Sequence, residues 1–390
     1  MKRNILISIL ILSLQCTFAH ELLDVASGKN HSLLLFENGK ILPFGHNDYG
    51  QLGLSKTINF QSISEEKPLY IDTSEKFISI AVGLDFSLAV SEDGTLWGWG
   101  NNANYQLGLK LPQDIEKPQL LTDIKGWKKV FAGGYESLAL KDDGTLWDLR
   151  TLEIIKNPNN TIWKDVKVFG ENWGFGDYTL IVILQDIDDK FWIYGTCTNS
   201  SDDFSIVNSF IDKNVIFIDN DTIQPIIISS DITSFQVTDL SGFYRNKSDI
   251  IIFGLSVAND GEIQQIKDSK ESVYNYLSNI TINKKNKNIR NIVMGNFSDK
   301  VTLALDISQS QNKMHYYSYS ALLQKNGKLI IYTNGKKMIS DKNVKISKIF
   351  GGSNIFVQAD DDKVYGIGYF YSQNDYMVQE LFSYYIPINY

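Results

Sequence analysis

Cysteine and histidine are scarce in this chain of 390 residues, which holds two cysteines and four histidines. After removal of the export segment predicted below, only Cys197 would remain, and a lone cysteine cannot close an internal disulfide. The histidines show no metal-ligand spacing with one another, with a cysteine or with a carboxylate: His20, His31, His46 and His315. We therefore expect no metal and no cofactor, and a fold held by packing and hydrogen bonds.

Positive charge is also in short supply, since 37 Lys and Arg face 45 Asp and Glu, for a net charge of −8. Phosphate binding needs a cationic surface, so nucleic acid is excluded as the main partner. The one dense basic run, 283–290, is interpreted as a solvated loop. A convergent acid–base set and a serine nucleophile elbow are absent as well, so we expect no enzyme. Carboxylates brought together from distant segments would leave a lyase or glycosidase as a weaker alternative.

Long apolar runs are missing after the first twenty residues, so no integral membrane segment is expected. Lys2 and Arg3 precede an apolar stretch, Ile5–Leu14, that is too short to span a bilayer. Small residues then favour cleavage after Ala19. Residues 1–19 are predicted to be a signal peptide and the mature chain to be secreted or periplasmic. Lipoprotein anchoring through Cys16 is the second alternative, because the residue before it is large.

What the sequence does contain is an internal repeat. One copy begins at Gly28 and a second at Gly83, with a constant shift of 55 across nearly thirty residues. A third copy runs from Ala132 to Trp147 and then places Arg150 where the earlier copies have glycine. Residues 351–369 form the last clear copy, and the pattern between 151 and 291 is eroded.

Each copy reads as strand, tight turn, strand. Asn38-Gly39 and Asp93-Gly94 predict a two-residue hairpin turn with positive φ at both central positions. Acidic runs at 186–189 and 360–362 fall at the same place in the repeat, and we interpret them as turn formers rather than a calcium site. The serines that recur in register are interpreted as scaffold residues that bond the backbone: Ser32, Ser87 and Ser137.

Such hairpin units cannot bury both sheet faces alone, and radial stacking solves this. The sequence therefore predicts an all-β, seven-bladed β-propeller formed by residues 20–390. Repeats are clear over 22–150 and 292–390, whereas 151–291 would hold degenerate blades or an inserted element. The predicted repeat starts are Gly28, Gly83, Gly133, Gly170, Phe235, Gly295 and Gly351. We also expect the N- and C-terminal strands to share one blade and so close the ring.

The repeat resembles that of the regulator-of-chromosome-condensation family, most clearly over Ala81–Leu109. The resemblance implies a seven-bladed propeller in a divergent, secreted member. It also brings one functional alternative, a guanine-nucleotide-exchange-like regulator of a small GTPase, delivered into a host cell if the export signal is real. The glycines that carry the repeat are Gly28, Gly39, Gly45, Gly83, Gly94, Gly100, Gly133, Gly144, Gly327, Gly351 and Gly368.

Aromatic residues cluster in segments that should converge on one propeller face, where they would act as rigid binding anchors. The candidate binding residues are Tyr49, Tyr105, Trp173, Phe175, Tyr369, Phe370 and Tyr371. The alternative for Tyr49 and Tyr105 is that they pad neighbouring blades. We therefore predict a monomeric binding protein that recognises another protein, as an inhibitor or an interaction scaffold.

Overall fold

The apolar runs and turns of the repeat fold into β-strands throughout the part of the chain that the structure, a computed structural model, describes. The described residues are 21–28, 30–61, 68–155, 160–174, 177–194, 224–225, 232–237, 241–246, 249–254, 279–283, 289–299, 315–333, 336–340, 344–352, 354–368 and 382–386. The predicted signal peptide and both cysteines lie outside these ranges.

The strands form seven four-stranded sheets, and within each sheet every strand pairs antiparallel with the next in the chain. Sheet one contains β1 Leu22–Ser27, β2 His31–Phe36, β3 Ile41–His46 and β4 Phe60–Gln61. Sheet two contains β5 Phe77–Val82, β6 Phe86–Ser91, β7 Leu96–Gly100 and β8 Ile115–Thr122. Sheet three contains β9 Trp127–Gly133, β10 Glu136–Lys141, β11 Leu146–Asp148 and β12 Glu153–Ile154. Sheet four contains β13 Trp163–Gly174, β14 Asp177–Asp186, β15 Phe191–Tyr194 and β16 Gln224–Pro225.

The remaining three sheets follow the same order. Sheet five contains β17 Ile232–Val237, β18 Ser241–Asn246, β19 Asp249–Gly254 and β20 Asn279–Asn283. Sheet six contains β21 Ile289–Asp299, β22 His315–Gln324, β23 Leu329–Thr333 and β24 Lys336–Ile339. Sheet seven contains β25 Ile346–Phe350, β26 Ile355–Ala359, β27 Val364–Gly368 and β28 Phe382–Ile386.

The turn between the second and third strands has a different geometry from the one predicted. The Gly39 amide donates to the Phe36 carbonyl, and the Phe36 amide donates to the Lys40 carbonyl, so three residues form the turn. Only Gly39 has a positive φ, +79°. This is a type I turn followed by one left-handed residue, and the two-residue prediction was wrong. The same backbone hydrogen bonds recur at Gly94, Gly144, Asp189, Gly327 and Asp362.

Four of these turns, at Gly39, Gly94, Gly144 and Gly327, also tie their sheet to the next one. The Gly39 carbonyl accepts a hydrogen bond of 3.0 Å from the amide of Phe77, the first residue of sheet two. The Gly94 carbonyl accepts from Trp127, and the Gly144 carbonyl accepts from Trp163. Because each donor begins the first strand of the following sheet, the turn fixes the position of that strand. We call this arrangement the stapled turn.

A second repeated feature is a β-bulge at the second residue of every first strand. Where the pairing with the second strand skips one residue, the strand bends and twists more strongly. The skipped residues are Leu23, Ile78, Lys128, Lys164, Thr233, Arg290 and Ser347. The bulge is therefore present in the sheets formed by residues 163–283 as well, where the sequence repeat is eroded.

Neighbouring sheets bury apolar side chains between them. One cluster runs from Leu33 of sheet one through Trp99 of sheet two to Leu149 of sheet three. Other clusters join sheets three and four, and sheets six and seven. A further cluster packs Leu34 and Phe36 of sheet one against Phe356 of sheet seven.

The predicted sharing of one blade by the two chain ends was wrong. Strand β1 pairs with β2, and β28 pairs with β27, so each terminal strand completes its own sheet. The first and last sheets instead meet face to face. The Leu22 amide donates to Gln358 Oε1 at 3.3 Å, and Lys348 Nζ donates to the Leu22 carbonyl at 2.9 Å.

The predicted all-β propeller is confirmed, whereas closure as a seven-bladed ring and its limits at residues 20 and 390 stay predictions. Each predicted repeat start lies within, or directly after, the first strand of one sheet. In the described residues no helix is long and apolar enough to cross a membrane.

The stapled turn makes a testable prediction from two matched glycines. A Cβ on Gly39 would lie 2.7 Å from Lys76 Cβ, whereas the nearest atom to one on Gly94 would be the Gly126 amide nitrogen, at 3.3 Å. We expect Gly94→Ala to cost about 1 kcal/mol, for the left-handed backbone alone. Gly39→Ala should cost about 3 kcal/mol, because a steric clash is added. Urea denaturation of both variants measures the difference, and equal losses would contradict the staple geometry.

Candidate functional site

The two ends of each sheet have different structures, and this divides the described surface. The stapled turns lie at one end. Because successive strands are antiparallel, the turn from the first to the second strand and the loop from the third to the fourth strand lie together at the other end. We call that end the loop face. It carries both Tyr49 and Tyr105.

The long loops of sheets one and two are built by buried amide side chains. Asn47 Oδ1 accepts from the Leu52 amide at 2.9 Å, and its Nδ2 donates to the Ile58 carbonyl at 2.7 Å. Asn102 repeats the pattern with the Leu107 amide and the Leu111 carbonyl. Since these amide groups satisfy backbone that forms no sheet, the loops hold a defined shape without regular structure.

A buried polar network ties the first loop to sheet two. Trp99 Nε1 and Ser87 Oγ both donate to the Gln51 carbonyl, at 2.9 and 2.8 Å. His31 Nε2 lies 2.8 Å from Ser87 Oγ. Burial, together with the nearby His46, lowers the pKa of His31 to about 3, so this ring is neutral at physiological pH. His31 therefore packs in the scaffold, as its position in the repeat indicates.

The recurring serines are only partly the backbone-bonding group that was expected. Ser87 bonds the backbone, but Ser32 Oγ pairs with the hydroxyl of Ser27 at 2.9 Å. Ser137 Oγ is buried and has no hydrogen-bond partner among the described residues. In sheet one, His31 offers a ring nitrogen to Ser87 of the next sheet. Phe86 holds the equivalent position in sheet two, so no ring nitrogen from that position can bond Ser137.

Sheet three departs from the repeat through a charged pair. Arg150, which replaces the loop glycine, places a guanidinium nitrogen 2.6 Å from Glu136 Oε2 and 3.3 Å from Asp148 Oδ2. Glu136 occupies the position of His31 and Phe86, and burial raises the pKa of its carboxyl. Arg150 partly offsets that rise. The two exceptions to the repeat therefore compensate each other.

Tyr49 and Tyr105 are both exposed on the loop face, to 39% and 47%. They do not hold equivalent positions, because a shift of 55 aligns Tyr105 with Gly50. The backbone hydrogen bonds confirm that Tyr105 corresponds to Gly50. The Gly50 amide donates to the Asn47 carbonyl, and the Gly50 carbonyl accepts from the Gly53 amide. Tyr105 bonds Asn102 and Gly108 in the same way. Gly50 has φ +84° and Tyr105 has φ +60°.

A tyrosine in this conformation is strained, because Cβ of an L-residue approaches its own backbone at positive φ. Leu152 also has a positive φ, but its side chain packs against the core shared by sheets one to three. Tyr105 is about half exposed and is not part of a buried core cluster among the described residues, so no comparable burial offsets the strain.

The other predicted binding residues have different outcomes. Trp173 was placed in a flexible segment, yet it lies inside β13, where the pairing skips from Asn172 to Gly174 and leaves it as a bulge. Phe175 and the segment Tyr369, Phe370 and Tyr371 lie outside the described residues, so their role stays a prediction.

The backbone conformation of the repeat glycines divides them into two sets. Positive φ is found at Gly39, Gly45, Gly94, Gly100, Gly144 and Gly327. The remaining members end a first or third strand or directly follow a first strand: Gly28, Gly83, Gly133, Gly351 and Gly368. Both predicted acidic turns are also present, with Asp189 and Asp362 in the left-handed position.

Two loop-face residues were not predicted from the sequence. Leu111 is 63% exposed in the same loop as Tyr105. Glu116 lies directly beside Gly50, where an added Cβ would be only 2.7 Å from the Glu116 Cα. The repeat spacing gave no sign of either, and the position of Glu116 depends on how the first loop meets the start of β8. No group of three metal-ligating side chains is found in the described residues.

Comparison with known proteins adds the family of the repeat. The family model "Regulator of chromosome condensation (RCC1) repeat" matches residues 38–90 and 93–140, and a second family model of that description matches 23–51 and 77–106. The matched residues cover sheets one and two and the first two strands of sheet three. The matches cover the region in which the repeat is clearest by eye, and so confirm the resemblance drawn from the sequence.

Similar proteins fall into two groups. RCC1 domain-containing protein RUG3, mitochondrial, of Arabidopsis thaliana is 41% identical over 86 residues, which is 22% of this chain and 19% of that protein. The human X-linked retinitis pigmentosa GTPase regulator is 36% identical over 100 residues, 25% of this chain and 9% of that protein. The chain thus spans a fifth or less of these relatives. The solved structure of human WBSCR16 covers 85% of both chains with a TM-score of 0.58 and 12% identity, which shows the fold alone.

The Arg150–Glu136 pair predicts a pH-dependent loss of stability. Because the folded pKa of Glu136 is raised, its ionised form opposes folding as pH rises through that pKa, and Arg150 limits the penalty. Arg150→Gln should cost about 2 kcal/mol at neutral pH, less than a fully buried pair because Arg150 is partly exposed. The cost should shrink as pH falls and Glu136 binds a proton. Denaturant titrations at pH 7 and pH 4.5 test this, with Glu136→Gln/Arg150→Gln as the variant expected to lose the pH dependence.

The strain at Tyr105 predicts a stabilising substitution. Tyr105→Gly should raise the free energy of unfolding by about 1 kcal/mol, because glycine adopts this φ without the steric penalty. Tyr49→Gly is the matched control, since Tyr49 has similar exposure and an ordinary φ, and it should not stabilise. A Tyr105→Gly chain that melts below the parent would contradict the strain at this position.

Proposed function

We propose that this chain is a protein-binding propeller that recognises its partner through the loop face, as an inhibitor or an interaction scaffold. The observation that carries the proposal is the pair of exposed tyrosines, Tyr49 and Tyr105, held on loops whose backbone is fixed by buried Asn and Gln. Large rigid aromatic residues on a preformed surface lose little conformational entropy on binding. In this proposal the two ends of the sheets differ in role. The stapled turns join neighbouring sheets at one end, and the loop face at the other end binds the partner.

Closure of the seven sheets as one seven-bladed ring belongs to the same proposal. Its support is the β-bulge common to all seven first strands and the contact of sheet seven with sheet one. In such a ring the loop-face segments of several sheets surround one axis, and a partner can contact many of them at once.

We further propose that the chain acts as a monomer outside the cytoplasm, in the secreted or periplasmic space. The support is the charged and apolar pattern of residues 1–19, followed by small residues at a cleavage position. After that cleavage the chain would keep only Cys197, which cannot form an internal disulfide, so its stability would be compatible with either the secreted or the periplasmic space.

Regulation of a small GTPase is the second candidate. It is favoured by the similarity of a quarter of this chain to a protein named a GTPase regulator. A nucleotide-exchange assay with a fluorescent guanine nucleotide on small GTPases tests it directly. Acceleration of nucleotide release would favour this candidate over an inhibitor or scaffold.

The binding proposal is tested by affinity capture with the full chain and matched variants on the two faces. Tyr49→Ala/Tyr105→Gly should abolish capture of a specific protein, whereas Glu92→Ala, on an exposed stapled turn, should leave it intact. Circular dichroism melting confirms that both variants fold. Capture that survives the loop-face double variant would overturn the proposal.

A further inference from the structure

The first two described residues are fixed in the fold from both sides. The Glu21 carbonyl accepts a hydrogen bond of 2.9 Å from the Glu37 amide, and the Glu21 carboxylate lies 2.8 Å from Lys348 Nζ. Leu22 is fully buried, and it packs against Phe356 of sheet seven. The chain is therefore held by backbone and side-chain contacts from Glu21 onward.

The backbone of Leu22 also belongs to the junction of sheets one and seven. Its amide donates to Gln358 Oε1 at 3.3 Å, and its carbonyl accepts from Lys348 Nζ at 2.9 Å. Lys348 thus contacts two residues at once, the carboxylate of Glu21 and the carbonyl of Leu22. The start of β1 can detach only if these contacts break.

The predicted cleavage point lies very close to these fixed residues. A single residue, His20, separates the Ala19–His20 bond from Glu21. Since an extended residue spans at most about 3.6 Å, the bond lies within about 7 Å of the Glu21 Cα. Proteases cut backbone that is exposed and free of hydrogen bonds on both sides of the bond. On the side of Glu21 that condition fails from the second residue onward.

We propose that the Ala19–His20 bond can be cut only before the junction of sheets one and seven forms, so that a chain that folds first keeps its export segment, residues 1–19. The inference rests on the proposed export, and it adds the order in which cleavage and folding must occur. Hydrolysis adds one water across the bond and leaves a carboxylate on Ala19 and an ammonium group on His20. In the folded chain this step requires local opening of β1, and its rate follows the population of the opened form.

Lipoprotein processing at Cys16 would not meet this obstacle. Five residues, 16–20, separate the bond before Cys16 from Glu21, and they span about 18 Å when extended. The folded chain would therefore block one of the two processing routes and leave the other open.

The test uses the full chain and a purified signal peptidase in detergent, with cleavage followed by mass spectrometry. In one sample the peptidase is present while the chain refolds from urea, and in the other it is added after refolding is complete. The initial rate of cleavage after Ala19 should be at least about tenfold lower in the second sample, because the bond is reached only through local opening. Equal rates in the two samples would overturn the inference.

Two variants locate the obstacle, and circular dichroism melting confirms that each folds. An insertion of about six alternating Gly and Ser residues between His20 and Glu21 moves the bond away from the sheet, so the refolded chain should be cut as fast as the refolding one. Lys348→Ala removes two contacts to the start of β1 and should speed cleavage of the refolded chain at least about threefold. Lys345→Ala, at an exposed lysine without these contacts, should not.

An insertion variant as resistant as the parent would overturn the inference, and so would equal rates in Lys348→Ala and Lys345→Ala. If the parent is cut after Ala19 equally fast before and after refolding, the proposed export stands and only the order is wrong. If no sample, the insertion variant included, is cut after Ala19, the proposed cleavage is wrong and the inference falls with it.

Discussion

A backbone hydrogen bond from the first residue of one sheet to the turn carbonyl of the sheet before it is the contact on which the described architecture depends. It requires a residue at positive φ in the turn, so that the carbonyl points outward, and a first strand that begins beside it. The backbone amides of Phe77, Trp127 and Trp163 donate this bond. The rings of the same residues pack edge-on against a tryptophan on the third strand of their own sheet: Trp97, Trp147 and Trp192. Orientation and packing of adjacent sheets are thereby set at the same point.

The stapled turns join neighbouring sheets at one end in the same way each time they occur, whereas the loops at the other end differ from sheet to sheet. The loops of sheets one and two hold their shape through their own Asn and Gln side chains, and loop three replaces glycine with Arg150 without disturbing the staple at Gly144. The same separation accounts for the strained Tyr105, because the energetic penalty of one loop residue is borne by a scaffold fixed elsewhere.

The repeat made much of the fold predictable, since Asn-Gly and Asp-Gly dipeptides mark the turns and short apolar runs mark the strands. It could not give the turn's third residue or the ring junction. A three-residue turn and a two-residue turn share the same dipeptide, and the hydrogen bonds within the turn together with the single positive φ at Gly39 distinguish them. The predicted sharing of one blade by the chain ends failed because the sequence of β1 resembles the first strand of any repeat. Its partner is β2, the strand that follows it in the chain.

The candidate site was less predictable for a related reason. Tyr49 and Tyr105 are visible as aromatic residues in glycine-rich segments, but the alignment of Tyr105 with Gly50 acquires meaning only when φ is known. Glu116 belongs to the surface beside Gly50 because the first loop meets the start of β8, which is a property of the assembled sheets. Trp173 was assigned to a loop since glycines surround it, although a long strand can include glycine where the pairing is bulged.

The meeting of sheet seven with sheet one joins residues far apart in the chain, as the bond between Leu22 and Gln358 spans 336 positions. Contacts between other neighbouring sheets involve much shorter loops, whose closure loses less chain entropy. Because closing so long a loop loses more chain entropy, we expect the junction to form after the intervening sheets, and it rests on side chains rather than on a continuous strand ladder. The first and last sheets therefore mark the seam at which the folded chain would open under load, and the order of its assembly runs toward that seam.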